Sequence, residues 1–175
     1  MPEQPIDYEL KYKELTAGKG LQFLCEQFER GERTRMDELH DQLSKPFGKW
    51  TELKRDLEEL NIQHDFRERE VWWCSMGINL GFEQDGKNIM FERPVLVLRK
   101  YSKDFLLVAS LTSTQKKNKY YFPVVLNGRN GSVSLSQQKA ISVKRLSRRV
   151  QKLPEPVFDE IVKSIISLYP LPKVQ

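Results

Sequence analysis

The side chains best placed to act on a ligand are polar residues at the ends of predicted strands. Asn79, Glu83 and Gln84 fall in the loop after the first strand, Arg93 opens the second, and Thr112 with Ser113 closes the third. Strand ends are where a small barrel presents side chains to a ligand. Each residue also has a plain structural reading: Glu83 and Gln84 in a solvated turn, Arg93 as a surface cation, Thr112 closing a strand. Lys116, Lys117 and Lys119 follow on the next loop. Ammonium groups there engage phosphates without reading sequence, and the plain alternative is a solvated hairpin loop. Tyr120 and Tyr121 are able to stack on bases, although strand alternation puts only one of them on each face.

Several familiar chemistries are disfavoured. The sequence contains no GxxxxGK[ST], no Gly-rich turn between strand and helix, no HExxH and no GxSxG. Cys25 and Cys74 lack metal-site spacing and read as reduced, half-buried thiols. Neither a metal nor another cofactor is called for.

The charge distribution points to a partner. Residues 1–66 carry 10 Lys+Arg against 15 Asp+Glu, a net −5, whereas residues 67–175 carry 19 against 9, a net +10. A strongly basic region of this kind suits a polyanion. The most apolar run, 105–111, is too short to span a bilayer, and no early segment resembles a leader, so the expectation is a cytoplasmic protein with no membrane partner.

Three helical stripes precede the strands. Leu21, Leu24, Cys25 and Phe28 share one helix face, Met36, Leu39 and Leu43 form a second short stripe, and Phe47, Trp50, Leu53, Leu57 and Leu60 a third. Near Glu70 the period becomes strand-like. Strands are expected over 71–74, 94–98, 105–111, 120–126, 132–135 and 140–143, with a turn over 127–131 and a basic surface cluster over 144–149. Val157, Ile161, Ile165 and Leu168 mark a terminal helix. The expected fold is α+β: an acidic helical extension over 1–66, then a small, partly closed β-barrel with a C-terminal helix over 67–175. Between them, the polar run 63–69 is the expected boundary.

The order of motifs resembles the MazF/PemK family of toxin endoribonucleases. The carriers are Glu70-Val71-Trp72-Trp73, Asn79-Leu80-Gly81-Phe82-Glu83-Gln84, Arg93-Pro94-Val95-Leu96-Val97 and Leu111-Thr112-Ser113, followed by Tyr121-Phe122-Pro123-Val124, Ser136-Gln137, Ile141 and Lys144-Arg145-Leu146. The resemblance covers roughly 68–169. It implies an SH3-like barrel that dimerises, cuts single-stranded RNA in short sequence contexts without a metal, and is held by a cognate acidic antitoxin. By motif, Arg93 and Thr112 match the family's catalytic pair. Glu83 and Gln84 match its site-flanking loop, and Asn79, Gln84, Ser113, Lys116, Lys117 and Gln137 are candidates for RNA contact.

This chain departs from the family pattern in three places. Residues 87–92 look inserted, which lengthens the first hairpin. Ser136 stands where many members carry Asp, and Phe82 where some carry His before Glu-Gln, so mechanisms using those groups are closed to this chain.

Physical chemistry constrains the implied roles. Metal-free cleavage by the ribose 2′-hydroxyl needs a dianionic phosphorane stabilised and two protons moved. The Arg93 guanidinium suits the first task by donating two parallel hydrogen bonds to phosphate oxygens, and it is a poor base. Thr112 can donate one more, as in an oxyanion hole. Glu83, if partly buried by the barrel mouth, is the group in this motif set able to act as a base near neutral pH.

Two other readings compete. A CcdB-type gyrase binder or a degenerate RNA binder would use the same barrel without catalysis, but has no need of the Arg93 and Thr112 pair. A DNA-binding helix-turn-helix over 1–66 conflicts with its net −5. That acidic segment suits an inhibitory contact on the basic groove in cis, a dimerisation element, or simple packing.

Overall fold

The computed structural model describes residues 46–170. The two stripes expected over 21–28 and 36–43, together with Cys25 and His40, lie outside the described residues. In chain order the elements are helix α1 (Phe47–Glu59), strands β1 (Glu70–Ser75), β2 (Glu92–Lys100), β3 (Phe105–Thr112), β4 (Tyr121–Leu126) and β5 (Arg129–Ser142), a 3-10 turn (Val143–Arg145), strand β6 (Leu146–Lys152) and helix α2 (Glu155–Ile166). The third helix and the C-terminal helix thus form where their apolar spacing places them.

The strands make one six-stranded sheet in the order β4-β5-β3-β2-β1-β6, with every neighbouring pair antiparallel. Alternation along each strand sends residues to two cores. Trp72, Cys74, Val95, Val97, Val108 and Ile141 line one face, closed by Phe66, Val143 and Leu146. Val71, Leu96, Ala109, Leu111, Val133 and Leu135 line the other, where Ile161 and Ile165 of α2 cover them. Register shifts bend the sheet at Val97/Arg99, at Ala109/Leu111 and twice along the β1–β6 ladder. The result is a curled half-barrel with a C-terminal helix.

Two features depart from the expected elements. The strands expected over 132–135 and 140–143 are one continuous β5, joined to β4 by the two-residue turn Asn127-Gly128 with φ +46° and +76°. Both central residues in the left-handed region make this a twist-compatible hairpin turn, tighter than the loop expected over 127–131. The basic cluster over 144–149 spans the end of the 3-10 turn and the start of β6, an edge strand whose exposed Ser147, Arg148 and Arg149 hide its pairing from a hydrophobicity reading.

Helix α1 packs on the connection between β1 and β2 through Trp50, Leu53 and Leu57, which meet Ile78 and Phe91 in a third apolar cluster. Of the adjacent tryptophans, Trp72 is buried and Trp73 half-buried, with the Arg148 guanidinium 4.7 Å above its ring. Cys74 is fully buried, and loss of hydration pushes its thiol up to about 12. Among the described residues, no helix is long and apolar enough to cross a membrane.

Two buried carboxylates tie β1 and β2 to β6. Glu70 accepts hydrogen bonds from Trp72 Nε1 (2.9 Å), the Arg67 amide (3.0 Å) and Arg149 (3.0 Å). Glu92 accepts from Ser147 Oγ (2.6 Å) and from Arg148 (3.1 Å to each carboxylate oxygen). Burial works to raise both carboxyls, but the donors together outweigh it and hold each below its ordinary 4.5. A folded pKa below the unfolded one stabilises the native state above the unfolded value, and that contribution is lost as pH falls through the folded value. The melting temperature is therefore expected to fall as pH drops below about 4.5. Glu70→Gln should flatten part of that fall, and an unchanged slope would exclude Glu70 as a contributor.

Candidate active site

The loop of residues 76–91, between β1 and β2, folds against the end of the sheet and meets Arg93. Arg93 Nε donates to the Asp85 carbonyl (2.7 Å) and one terminal nitrogen donates to the Leu111 carbonyl (3.2 Å). These bonds fix the plane of the guanidinium and leave three of its five N–H donors for a ligand. Burial pushes the Arg93 pKa below its ordinary value, while Asp85 and Tyr121 pull it back up. An arginine starts high enough to remain a cation at neutral pH. The site thus holds a half-desolvated positive charge in a fixed orientation.

Thr112 lies beside it by register. The β2–β3 ladder ends at the pair Val95–Ser110, two residues from Arg93 and Thr112, whose alternation puts them on the same face, and Arg93 bonds the carbonyl of Leu111 next to Thr112. Thr112 Oγ1 accepts from the Thr114 amide (3.3 Å), which leaves the hydroxyl proton to be donated. Across β3, the β5 strand bulges strongly: Ala109 pairs with Gln138, yet Leu111 pairs with Val133. Ser110 and Ser134 both fall within this break in the ladder. Both serines are buried, and neither Oγ has a hydrogen-bond partner. Buried unpartnered polar atoms are uncommon and call for a reason. A third, Gln84 Oε1, sits in the adjoining loop.

The β5 bulge also reaches the loop. Gln137 accepts from the Gln84 amide (3.3 Å) and donates to the Phe82 carbonyl (3.3 Å). Lys139 Nζ donates to Asn79 Oδ1 (3.0 Å), while Asn79 Nδ2 donates to the Gln84 carbonyl (2.9 Å) and the Asn79 amide donates to Asp85 Oδ1 (2.6 Å). Asn79, Gln84 and Gln137 are therefore brought together in a network that seats the loop, with Gln137 spending both ends of its amide on backbone.

The remaining expected residues sit around the rim. Glu83 is exposed at the loop surface, so the burial on which its role as a base was conditioned is absent. Ser113 and Lys117 are exposed on the β3–β4 connection. Lys116 reaches back to Tyr121, with Nζ 3.3 Å from the hydroxyl and 4.9 Å from the ring centroid. Tyr121 is half-buried and pairs with Ser134, which places it on the Arg93 side of the sheet, whereas Tyr120 is exposed beneath Lys119. Lys139, Asp85, Ser110 and Ser134 were not foreseen. Ser110 and Lys139 were within reach, each lying two residues from a candidate on the same strand; Asp85 belongs to the network only through loop folding. Among the described residues, no group of three or more His, Cys, Asp or Glu side chains is placed to hold a metal ion.

Comparison with known proteins places the fold. The family described as PemK-like, MazF-like toxin of type II toxin-antitoxin system matches residues 67–169. A crystal structure of MazF (Form-I) from Deinococcus radiodurans superposes with a TM-score of 0.50 at 20% identity, covering 62% of this chain and 97% of that one. An endoribonuclease in complex with its cognate antitoxin from Mycobacterial species aligns at 13% identity over 60% of this chain and 95% of that one, with a TM-score of 0.48. MazE-MazF (Form-II) from Deinococcus radiodurans aligns at 16% identity over 63% and 99%, also at 0.48. At these identities the likeness concerns the fold. No curated protein matches the chain.

Proposed function

We propose, from the premise that this chain belongs to the PemK-like, MazF-like toxin family of type II toxin-antitoxin systems, that it is an endoribonuclease cutting single-stranded RNA without a metal ion. The observation that carries the reading is the Arg93 guanidinium, pinned by two backbone carbonyls with its remaining donors free, one of those carbonyls belonging to Leu111 beside Thr112. A non-catalytic binder has no need of the Arg93 and Thr112 pair.

In the proposed reaction the ribose 2′-oxygen attacks the adjacent phosphorus, its proton passes to a base, and the P–O5′ bond breaks. The products are a 2′,3′-cyclic phosphate and a 5′-oxyanion that takes up a proton to become the 5′-hydroxyl. Charge builds on the non-bridging oxygens, where Arg93 supplies a fork of donors and Thr112 a further one. Glu83 remains the candidate for the 2′-proton. Standing exposed, it serves in that role once RNA lies across the loop and removes water from it. Lys116 and Lys117 supply phosphate contacts on the opposite rim, and Ser113 and Asn79 supply polar contacts to the strand. The partners proposed are a second copy of the chain and a cognate antitoxin whose acidic segment complements the net +10 of residues 67–175.

Incubating the purified protein with mixed-sequence RNA in EDTA should yield fragments with 5′-hydroxyl ends at a short recurring sequence. Fragments with 5′-phosphates, or no cleavage under any condition, would sink the reading. Thr112→Val keeps the shape and removes the donor, and is expected to lower kcat about 10- to 100-fold with KM little changed. Single-turnover kinetics on one oligonucleotide checks this.

A further inference from the structure

Helix α1 lies outside the residues that match the family, yet it packs on the roots of the loop that meets Arg93. We infer that α1, acting through Trp50, is a positioning element for Arg93. This rests on the ribonuclease reading of the site.

The connection is continuous in backbone and side-chain contacts. Trp50 is buried against Gly77, so closely that a Cβ on that residue would lie 2.2 Å from two indole carbons. Gly77 has φ +86°, which a glycine adopts without strain. The Trp50 ring also meets Phe91 edge-on, with centroids 5.7 Å apart, and Phe91 holds φ +48°, an uncommon conformation for an aromatic residue. From these two residues the loop is cinched shut. The Gly77 amide donates to the Phe91 carbonyl (3.2 Å), and the Gly86 amide donates to the Gly77 carbonyl (2.8 Å). Next to Gly86 is Asp85, whose carbonyl takes the Arg93 Nε. Trp50 therefore wedges the two ends of the loop, and the loop presents the carbonyl that aims the guanidinium.

The other side of α1 is latched. Arg145 stacks 5.2 Å over the Trp50 ring while donating to the Ser75 carbonyl (3.1 Å), and Lys144 forms an ion pair with Glu58 at 3.3 Å. The cluster of Trp50, Ile78 and Phe91 is separate from both faces of the sheet, so the helix can loosen without emptying either main core.

The test uses the full chain with Trp50→Ala and Trp50→Phe, read by amide hydrogen exchange and by RNA cleavage in EDTA. Trp50→Ala should speed exchange at Gly77 and Gly86 at least tenfold while leaving strand amides of β2 and β3 protected, and Trp50→Phe should recover most of that protection. In cleavage, kcat should fall about 10- to 100-fold for the alanine variant, with RNA affinity changing less than threefold, and recover with phenylalanine. Unchanged exchange at Gly77 and Gly86 overturns the inference whether or not the wild type cuts RNA. A rise in cleavage also overturns it, because it would make the helix an inhibitor. If the wild type fails to cut RNA, the ribonuclease reading falls and the exchange result still decides whether Trp50 orders the loop.

Discussion

Replacing Arg93 with alanine should lower kcat/KM for RNA cleavage by at least about 10³-fold, the largest effect expected of any single change in this protein. Loss of one preorganised donor in a water-excluded site typically costs ~10²–10³ in rate, and Arg93 supplies two donors together with the positive charge. The variant also loses the bonds to the Asp85 and Leu111 carbonyls, each contributing about 1 kcal/mol. Thermal unfolding should therefore shift by roughly 5–10 °C for a domain of this size and stay cooperative, which separates lost chemistry from lost fold. Arg93→Lys is the sharper probe. It keeps the charge and gives up the planar fork, so most of the activity loss should persist. Near-wild-type cleavage by the lysine variant would mean that charge alone suffices and that the fixed guanidinium plane has no catalytic part.

The second large effect is expected at Gly86. A Cβ built there would lie 1.6 Å from the Phe91 carbonyl oxygen and 2.0 Å from its carbon. Those are backbone atoms at the base of the first hairpin, where Lys87 and Glu92 exchange hydrogen bonds of 2.7 and 2.8 Å, so no side chain can swing aside to make room. Gly86→Ala must displace the loop itself, and the Asp85 carbonyl moves with it. Misplacing a catalytic group by roughly 1 Å costs on the order of 10²-fold, which is the expected fall in kcat. The guanidinium and the basic rim remain, so RNA affinity should hold within a few-fold; a loss confined to KM would contradict the assignment. Gly48 is the control. Nothing lies within 4 Å of a Cβ there, and it sits inside α1. Gly48→Ala should leave cleavage unchanged and stabilise the helix by about 0.5–1 kcal/mol.

How far the sequence could be read depended on the range over which each residue's environment is set. Phe47, Trp50, Leu53 and Leu57 declare their helix because the pattern is local, and the same holds for the alternation in β1, β3 and β4. Arg93 and Thr112 were legible as strand ends, and the bond from Arg93 to the Leu111 carbonyl brings them together. Strand β6 was opaque: its partners for charge, Glu70 and Glu92, are 55 or more residues away in sequence, so Arg148 and Arg149 looked like plain surface cations. Gln137 was expected to face RNA. Its actual hydrogen bonds depend on a bulge that no spacing rule announces, and so does the position of Lys139 beside Asn79. Glu83 shows the converse limit. Its role as a base hung on burial by the barrel mouth, which no local pattern sets, and it stands exposed at the loop surface.

The two outer strands of the sheet bear on how the chain behaves when crowded with copies of itself. An unpaired strand edge is a template on which another chain can add, layer by layer. Here β4 carries Pro123, which has no N–H to offer, and β6 carries Arg148, Arg149 and Lys152 along its exposed length. Like charges facing across a would-be β6–β6 seam repel, and the proline interrupts a β4–β4 ladder midway. The curled sheet is open at both sides, yet each margin resists uncontrolled growth into fibrous aggregates by a different physical means.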